Sequence, residues 1–278
     1  MPRKREGTYT VCVYGSSSGR TPDEYKRVSR KLGNLLADGG HMTVNGAGKA
    51  GCMGALNDGV TERCGRVRGV IHEMWIVDRG EHPKVHDLKV VGGYGLQSKK
   101  KRPDFQTKLP GQTGANNLYQ ERKRVLAEDA DCIIALPGGP GTWDELWEIV
   151  CLKGLGLSNL PVCIIDVDNF YEGFQIQLNR AHADKLLYRD PNELLHFESR
   201  PEAALEWCVS ELKGARSGTR STTLPAPMQR IADVYHSKRE RAEYAKKTTM
   251  KSTLLALGTA AIAVSMAVTI WRTRTCSA

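Results

Sequence analysis

Three short runs of apolar, β-favouring residues end directly in glycine clusters. Residues 8–14 run into Gly15-Ser16-Ser17-Ser18, residues 41–45 into a loop over 46–54, and residues 131–136 into Pro137-Gly138-Gly139-Pro140-Gly141. A stretch of helical spacing follows each cluster. Strand, glycine turn and helix in alternation mark an open α/β fold, because a helix returning over the sheet lets the next strand enter parallel to the last. Residues 131–136 are apolar from Cys132 onward, as a strand covered on both faces must be, and residues 67–71, 88–91 and 161–166 supply further strands. Glycine makes up 28 of 278 residues, above the usual ~7%, and the excess belongs in the loops. The expected fold is α/β, a Rossmann-like doubly wound and mainly parallel sheet.

Helix signals fit the same frame. After the first cluster, Thr21 reads as a cap, Pro22 as the first helical position and Glu24 as the return half of a capping box, with Tyr25, Val28, Leu32 and Leu35 on one face. Gly39-Gly40 stops that helix. Others are expected to end at Cys64, to begin at Thr142, and to cover residues 169–185 and 201–213.

The formal charge of +9 suggests nucleic acid until its distribution is considered. From Gly214 onward, eleven Lys or Arg face three acidic residues, so +8 of the +9 lies in the tail. The body is close to neutral, and no nucleic-acid partner is expected. Residues 1–213 therefore read as one catalytic-sized domain, with a basic insertion at 93–116 that includes Lys99-Lys100-Lys101-Arg102. Residues 214–251 read as a linker and basic juxtamembrane helix. Residues 252–271 are twenty uncharged residues, which as a helix would span ~30 Å, the thickness of a bilayer core. A transmembrane tail helix, with 272–278 as a short basic end, implies a cytosol-facing body tethered by a single-pass anchor. The other reading of 252–271 is a small-residue helix docked on protein. The eight cysteines are scattered with no C-x-x-C pair, and read as reduced, mostly buried thiols.

In open α/β sheets, ligands collect at the carboxyl ends of strands, where loops and helix N-termini present backbone N–H groups to anions. The three glycine loops occupy that position. Gly15, Ser16, Gly46, Gly48, Gly51, Gly138, Gly139, Gly141 and Thr142 are thus candidate phosphate or nucleotide contacts. Gly46-Ala47-Gly48-Lys49-Ala50-Gly51 also fits a dinucleotide fingerprint with Glu73 as its acidic partner, which keeps a dinucleotide-dependent oxidoreductase open. The third loop places a carboxylate, Glu145, beside the phosphate nest. Thr142-x-x-Glu145 is equally a capping box, so spacing alone leaves catalysis and capping both open. His82 and His86, four apart, have no third metal ligand at recognisable spacing, and read as exposed loop histidines; no metal site is expected. Lys123 and Lys153 offer amines for a Schiff base, but the chain lacks the layout of a pyridoxal enzyme.

Pro137-Gly138-Gly139-Pro140-Gly141-Thr142-Trp143-Asp144-Glu145, preceded by Glu121-Arg122-Lys123 and the run 131–136, resembles the LOG family. These are cytokinin-activating nucleoside 5′-monophosphate phosphoribohydrolases, carrying an old lysine decarboxylase-like label. The similarity covers about residues 9–213 and includes Val11-Cys12-Val13-Tyr14-Gly15-Ser16-Ser17 and Gly51-Cys52-Met53-Gly54. It implies a Rossmann-like homodimer that cleaves an N-glycosidic bond, giving free base and ribose 5-phosphate, with no cofactor. Arg122 and Glu145 match the family's essential pair, Lys123 accompanies Arg122, and Gly138, Gly139, Gly141 and Thr142 match its phosphate loop. Glycosidic cleavage builds positive charge on the ribose, which a carboxylate near the anomeric carbon stabilises. The competing reading from another class is a non-catalytic nucleotide or molybdenum-cofactor carrier of the same fold.

Overall fold

The computed structural model describes residues 7–76, 79–91 and 115–216. They belong to the first of two compact units, Met1–Thr222; the second, Thr223–Ala278, lies outside them. In chain order the first four strands and three helices are β1 Thr10–Tyr14, α1 Asp23–Asp38, β2 Met42–Asn45, α2 Gly51–Glu62, β3 Arg66–His72, α3 Glu73–Ile76 and β4 Asp87–Val91. Then come α4 Ala115–Glu128, β5 Cys132–Ala135, α5 Pro140–Gly154, β6 Val162–Ile165, α6 Glu172–Ala183, α7 Pro191–Leu194, β7 His196–Glu198 and α8 Pro201–Arg216.

The strands form one sheet in the order β4-β3-β2-β1-β5-β6-β7, with every pairing parallel. From β1 the chain builds outward to β4 on one side, then crosses back to lay β5 against β1 and builds outward again. The crevice between the ends of β1 and β5 is therefore the switch point where such sheets take ligands. Two of the glycine loops leave from those two strands.

Side chains alternate across the sheet with the period-2 geometry of a strand. Val11 and Val13 join Leu32, Leu36, Cys52, Leu56, Ile134, Ile165 and Cys208 in one buried cluster, beneath α1, α2 and α8. Cys12 and Tyr14 join Val44, Val70, Ile133, Leu146, Ile149 and Val150 in the other, beneath α4, α5 and α6. Five of the seven described cysteines are buried, and Cys64 and Cys151 are exposed.

The close approach of α1 to α2 depends on two glycines. A Cβ on Gly33 would strike the Leu56 carbonyl and one on Gly59 the Arg30 carbonyl, and neither backbone can yield without separating the helices. The Arg30–Glu62 ion pair bridges the same two helices on the surface.

Several local expectations are corrected. Thr21 does not cap α1: the cap position is Pro22, without a side-chain bond, and Thr21 Oγ1 instead donates to the Ser18 carbonyl at 2.8 Å. The loop had a stronger use for that hydroxyl than the helix. Strand β7 and helices α3 and α7 were not expected, because segments of three or four residues carry too little periodicity to register.

Among the described residues no helix is long and apolar enough to cross a membrane. The longest, α1 and α8, have 16 residues each and are amphipathic, one face lying on the sheet; a span needs ~20 apolar residues. This corrects the expectation of a cytosol-facing, membrane-tethered body with a tail anchor and a membrane partner. The stretch on which the anchor was placed, 252–271, the preceding 217–251 and nearly all of the basic insertion 93–116 lie outside the described residues.

Gly59→Ala is expected to lower unfolding stability by about 1–3 kcal/mol, the usual cost of overpacking. Urea denaturation of the variant beside the parent measures it. An unchanged midpoint would show that α1 and α2 do not need their close contact.

Candidate active site

Ser16 joins the three glycine loops at the carboxyl end of the sheet. Its amide donates to the Pro137 carbonyl at 3.1 Å, tying the loop after β1 to the loop after β5, and its carbonyl accepts from the Met53 amide at 3.0 Å, tying in the start of α2. Gly51 adopts φ +65 there, and a Cβ would lie 2.5 Å from the Ser16 carbonyl oxygen, so only glycine fits. Gly15 packs with its Cβ position 3.1 Å from Cys52 Cβ and 3.2 Å from Leu136 Cβ. Ala47 holds φ 62 although it is not glycine. Asn45 at the end of β2 stabilises it, accepting the Ala47 amide at 2.8 Å and donating to Asn57 Oδ1 at 2.6 Å.

The loop after β5 opens α5. Its N-cap is Gly139 and Pro140 is the first helical residue, so the first-turn amides of Gly141 and Thr142 have no partner within the helix. Positions for a Cβ on Gly139 and Gly141 face open space, while Gly138 must lack one because Thr142 Cβ would lie 2.6 Å away. The nest therefore divides: Gly138 permits tight packing of the turn, and Gly139 and Gly141 leave the approach to the amides clear.

With Gly139 as the cap, Thr142 lies inside the first turn and Glu145 well past it. The capping-box reading of Thr142 and Glu145 is thereby excluded. Glu145 is 9% exposed and faces Arg122, itself 5% exposed, with Arg122 Nη1 donating to Glu145 Oε1 at 2.6 Å. Arg122 Nε donates to the Val70 carbonyl of β3 at 3.1 Å, and its guanidinium carbon stands 5.2 Å from the centre of the Trp75 ring. A Cβ on Gly46 would collide with Arg122 Nη2 and lie 2.9 Å from Met53 Sδ. Gly46 thus makes room for the arginine. Burial pushes the Glu145 carboxyl above the usual range, and the Arg122 charge opposes that shift. Burial likewise raises Cys12 and Tyr14, with the Glu145 charge adding to it in both.

Other candidates take different places. Gly48 offers its carbonyl to Asn57 Nδ2 at 3.3 Å. Lys123 is paired with Asp144 at 3.1 Å and Glu148 at 2.7 Å, along the seam between α4 and α5. Lys153 donates to the Leu160 carbonyl at 2.8 Å. His82 is buried, not exposed as expected, with Nε2 3.1 Å from Asp58 Oδ1. His86 Nδ1 accepts from the Val67 amide at 3.3 Å, so the two imidazoles have separate partners. Among the described residues no group of side chains could hold a metal ion. Sequence reading missed Asn45, Asn57 and Trp75. Only for Asn45, a polar residue ending an apolar strand before a glycine loop, was a signal available.

Residues 53–208 match the family described as possible lysine decarboxylase. The chain belongs to this family. Relatives include the cytokinin riboside 5′-monophosphate phosphoribohydrolase LOG of Oryza sativa subsp. japonica, 29% identical over 186 residues that make up 66% of this chain and 66% of that protein. LOG7 of Arabidopsis thaliana, of the same name, is 31% identical over 172 residues, 62% of this chain and 67% of that protein. Among solved structures, the molybdenum cofactor binding protein of Rippkaea orientalis superposes with a TM-score of 0.50 at 17% identity, covering 75% of this chain and 98% of that one. At that identity the likeness establishes the shared Rossmann-like fold. The family match begins in α2 and ends in α8, so it contains both Arg122 and Glu145.

Arg122→Met is expected to cost about 3–5 kcal/mol near neutral pH, because it leaves the buried Glu145 charge unpaired. The cost should shrink in acid. With its folded pKa raised above the unfolded value, Glu145 penalises the fold where it is ionised and ceases to do so once the pH falls low enough to protonate it. Thermal melts of variant and parent across that range measure the difference. A penalty independent of pH would mean that the arginine contributes only packing.

Proposed function

We propose that the chain hydrolyses the N-glycosidic bond of nucleoside 5′-monophosphates, N6-substituted adenosine monophosphates foremost, releasing free base and ribose 5-phosphate. The observation that carries this reading is the buried Arg122–Glu145 pair at 2.6 Å, placed one helical turn beyond an anion-accepting N-terminus. The names of the plant relatives agree with it.

The chemistry follows from the spacing. The 5′-phosphate binds the first-turn amides of α5, where Gly139 and Gly141 leave it access. Glu145 lies five residues beyond Pro140, about 7.5 Å down the helix axis, which suits the span from a phosphate to the anomeric carbon of the same ribose. As the bond from C1′ to the base nitrogen lengthens, its electron pair leaves with the base and positive charge grows on the ribose. The Glu145 carboxylate stabilises that charge and takes a proton from the water that adds to C1′. The base nitrogen takes a proton from solvent as it departs, and the proton that Glu145 took from the attacking water is returned to solvent, so that one water is consumed overall. Arg122 holds Glu145 in its rotamer, and its fixed fork of donors is available to the ribose hydroxyls or the departing base. Binding energy from the phosphate serves to orient the sugar.

The direct test incubates the full chain with AMP and N6-isopentenyl-AMP and separates free base and ribose 5-phosphate by chromatography. Binding without release of base would overturn the reaction and leave a carrier. Glu145→Gln should still fold, though less stably than the parent, since the amide keeps the shape and can accept from Arg122, whose guanidinium also meets the Val70 carbonyl and the Trp75 ring, yet lose activity at least ~100-fold. Gly46→Ala is expected to fold less stably than the parent, because its Cβ must push Arg122 aside and strain the buried pair with Glu145, and to lose most activity for the same reason. With the Glu145 carboxyl raised by burial and its ionised form active, kcat/KM should fall as the pH drops, on a limb above the ordinary carboxylate range. A pH–rate profile locates that limb.

A further inference from the structure

We propose that Trp75 is the platform on which the base of the substrate stacks, and that it makes the site selective for purine over pyrimidine monophosphates. The inference rests on the nucleotide reading above and names the part of the substrate that reading left without a partner.

Four groups surround the Arg122 guanidinium. Glu145 accepts from Nη1, the Val70 carbonyl accepts from Nε, the Gly46 backbone lies against Nη2, and the Trp75 ring stands 5.2 Å from the guanidinium carbon. Trp75 sits on α3, which directly follows β3, the strand supplying the Val70 carbonyl. Strand β3 thus sets the arginine and the indole side by side. The Trp75 main-chain carbonyl accepts from the Gly80 amide at 3.0 Å, and the His72 ring meets the indole edge-on with centroids 6.1 Å apart. It nevertheless remains 37% exposed, and it is the exposed aromatic among the described residues whose ring meets Arg122.

A mononucleotide has its phosphate and its base on opposite sides of the anomeric carbon. With the phosphate on the first turn of α5 and the anomeric carbon at Glu145, the base projects past the carboxylate toward Arg122 and the surface beside it. Trp75 provides there the part of its ring that the Arg122 guanidinium leaves uncovered. Stacking on indole discriminates by ring area rather than by hydrogen-bond pattern, so the two fused rings of a purine gain more than the single ring of a pyrimidine. It also tolerates substituents at the ring edge, as an N6-substituted adenine requires.

The test compares the full chain with Trp75→Phe and Trp75→Leu. Calorimetric titration with AMP, CMP and ribose 5-phosphate, each on a Glu145→Gln background to prevent turnover, is paired with base-release kinetics on the native background. Trp75→Leu is expected to weaken AMP about tenfold or more, to leave ribose 5-phosphate unchanged, and to bring AMP and CMP close together. Trp75→Phe should keep most of the preference, and in kinetics the loss should appear in KM. Equal weakening of AMP and ribose 5-phosphate would overturn the proposal, since the indole would then act only by packing on Arg122. So would an unchanged ratio of AMP to ribose 5-phosphate affinity in Trp75→Leu. Stacking in a parent that releases no base would sink the hydrolase reading alone; base release with no Trp75 dependence would sink the platform alone.

Discussion

The ion pair between Arg122 and Glu145 is the constraint around which the functional half of the molecule is arranged. Two charges withdrawn from water cost several kcal/mol each before their mutual attraction is counted, and replacing such a pair with apolar groups is often neutral or stabilising. Stability therefore does not explain its presence. The surroundings accommodate it at specific places: Gly46 gives up a side chain, the Val70 carbonyl accepts the guanidinium, and the Trp75 ring covers it. A carboxylate held this way has a raised pKa, a fixed rotamer and limited access to water, which is the state in which it can act on a developing cation.

The sheet puts that pair near the carboxyl ends of its central strands. Because β5 returns to pair with β1, the loops after those strands meet at the switch point, and Ser16 bonds one to the other and to the start of α2. Glycine serves three separate purposes in this small region. Gly51 supplies a left-handed backbone, Gly46 and Gly138 remove side chains that would strike Arg122 and Thr142, and Gly139 and Gly141 leave space in front of unpaired amides. A glycine-rich sequence does not distinguish among these purposes.

The architecture was largely legible in the sequence. The apolar run within 131–136 became the interior strand β5, beside β1, and the alternation around it became a fully parallel sheet. What misled were polar residues with two possible partners. Thr21 had the spacing of a cap and bonded the Ser18 carbonyl instead; Thr142 and Glu145 had the spacing of a capping box, but the helix began two residues earlier, at Pro140. His82 looked like a loop histidine and is buried against Asp58. Each of these concerns a side chain whose hydrogen bond is decided by which partner the fold brings near.

The sequence by itself determined the succession of strands and helices, the loops able to meet an anion, and the family to which the chain belongs, because periodicity, turn chemistry and contiguous motifs are local properties of the chain. Only the tertiary structure decided that Arg122 reaches Glu145 across 23 positions, that Gly46 makes room for the arginine, and that the Trp75 ring lies against its guanidinium. These contacts join α3, α4, α5 and the loop after β2, and no spacing along the chain encodes them. They arise when the sheet closes its strand order and brings separate helices over one face.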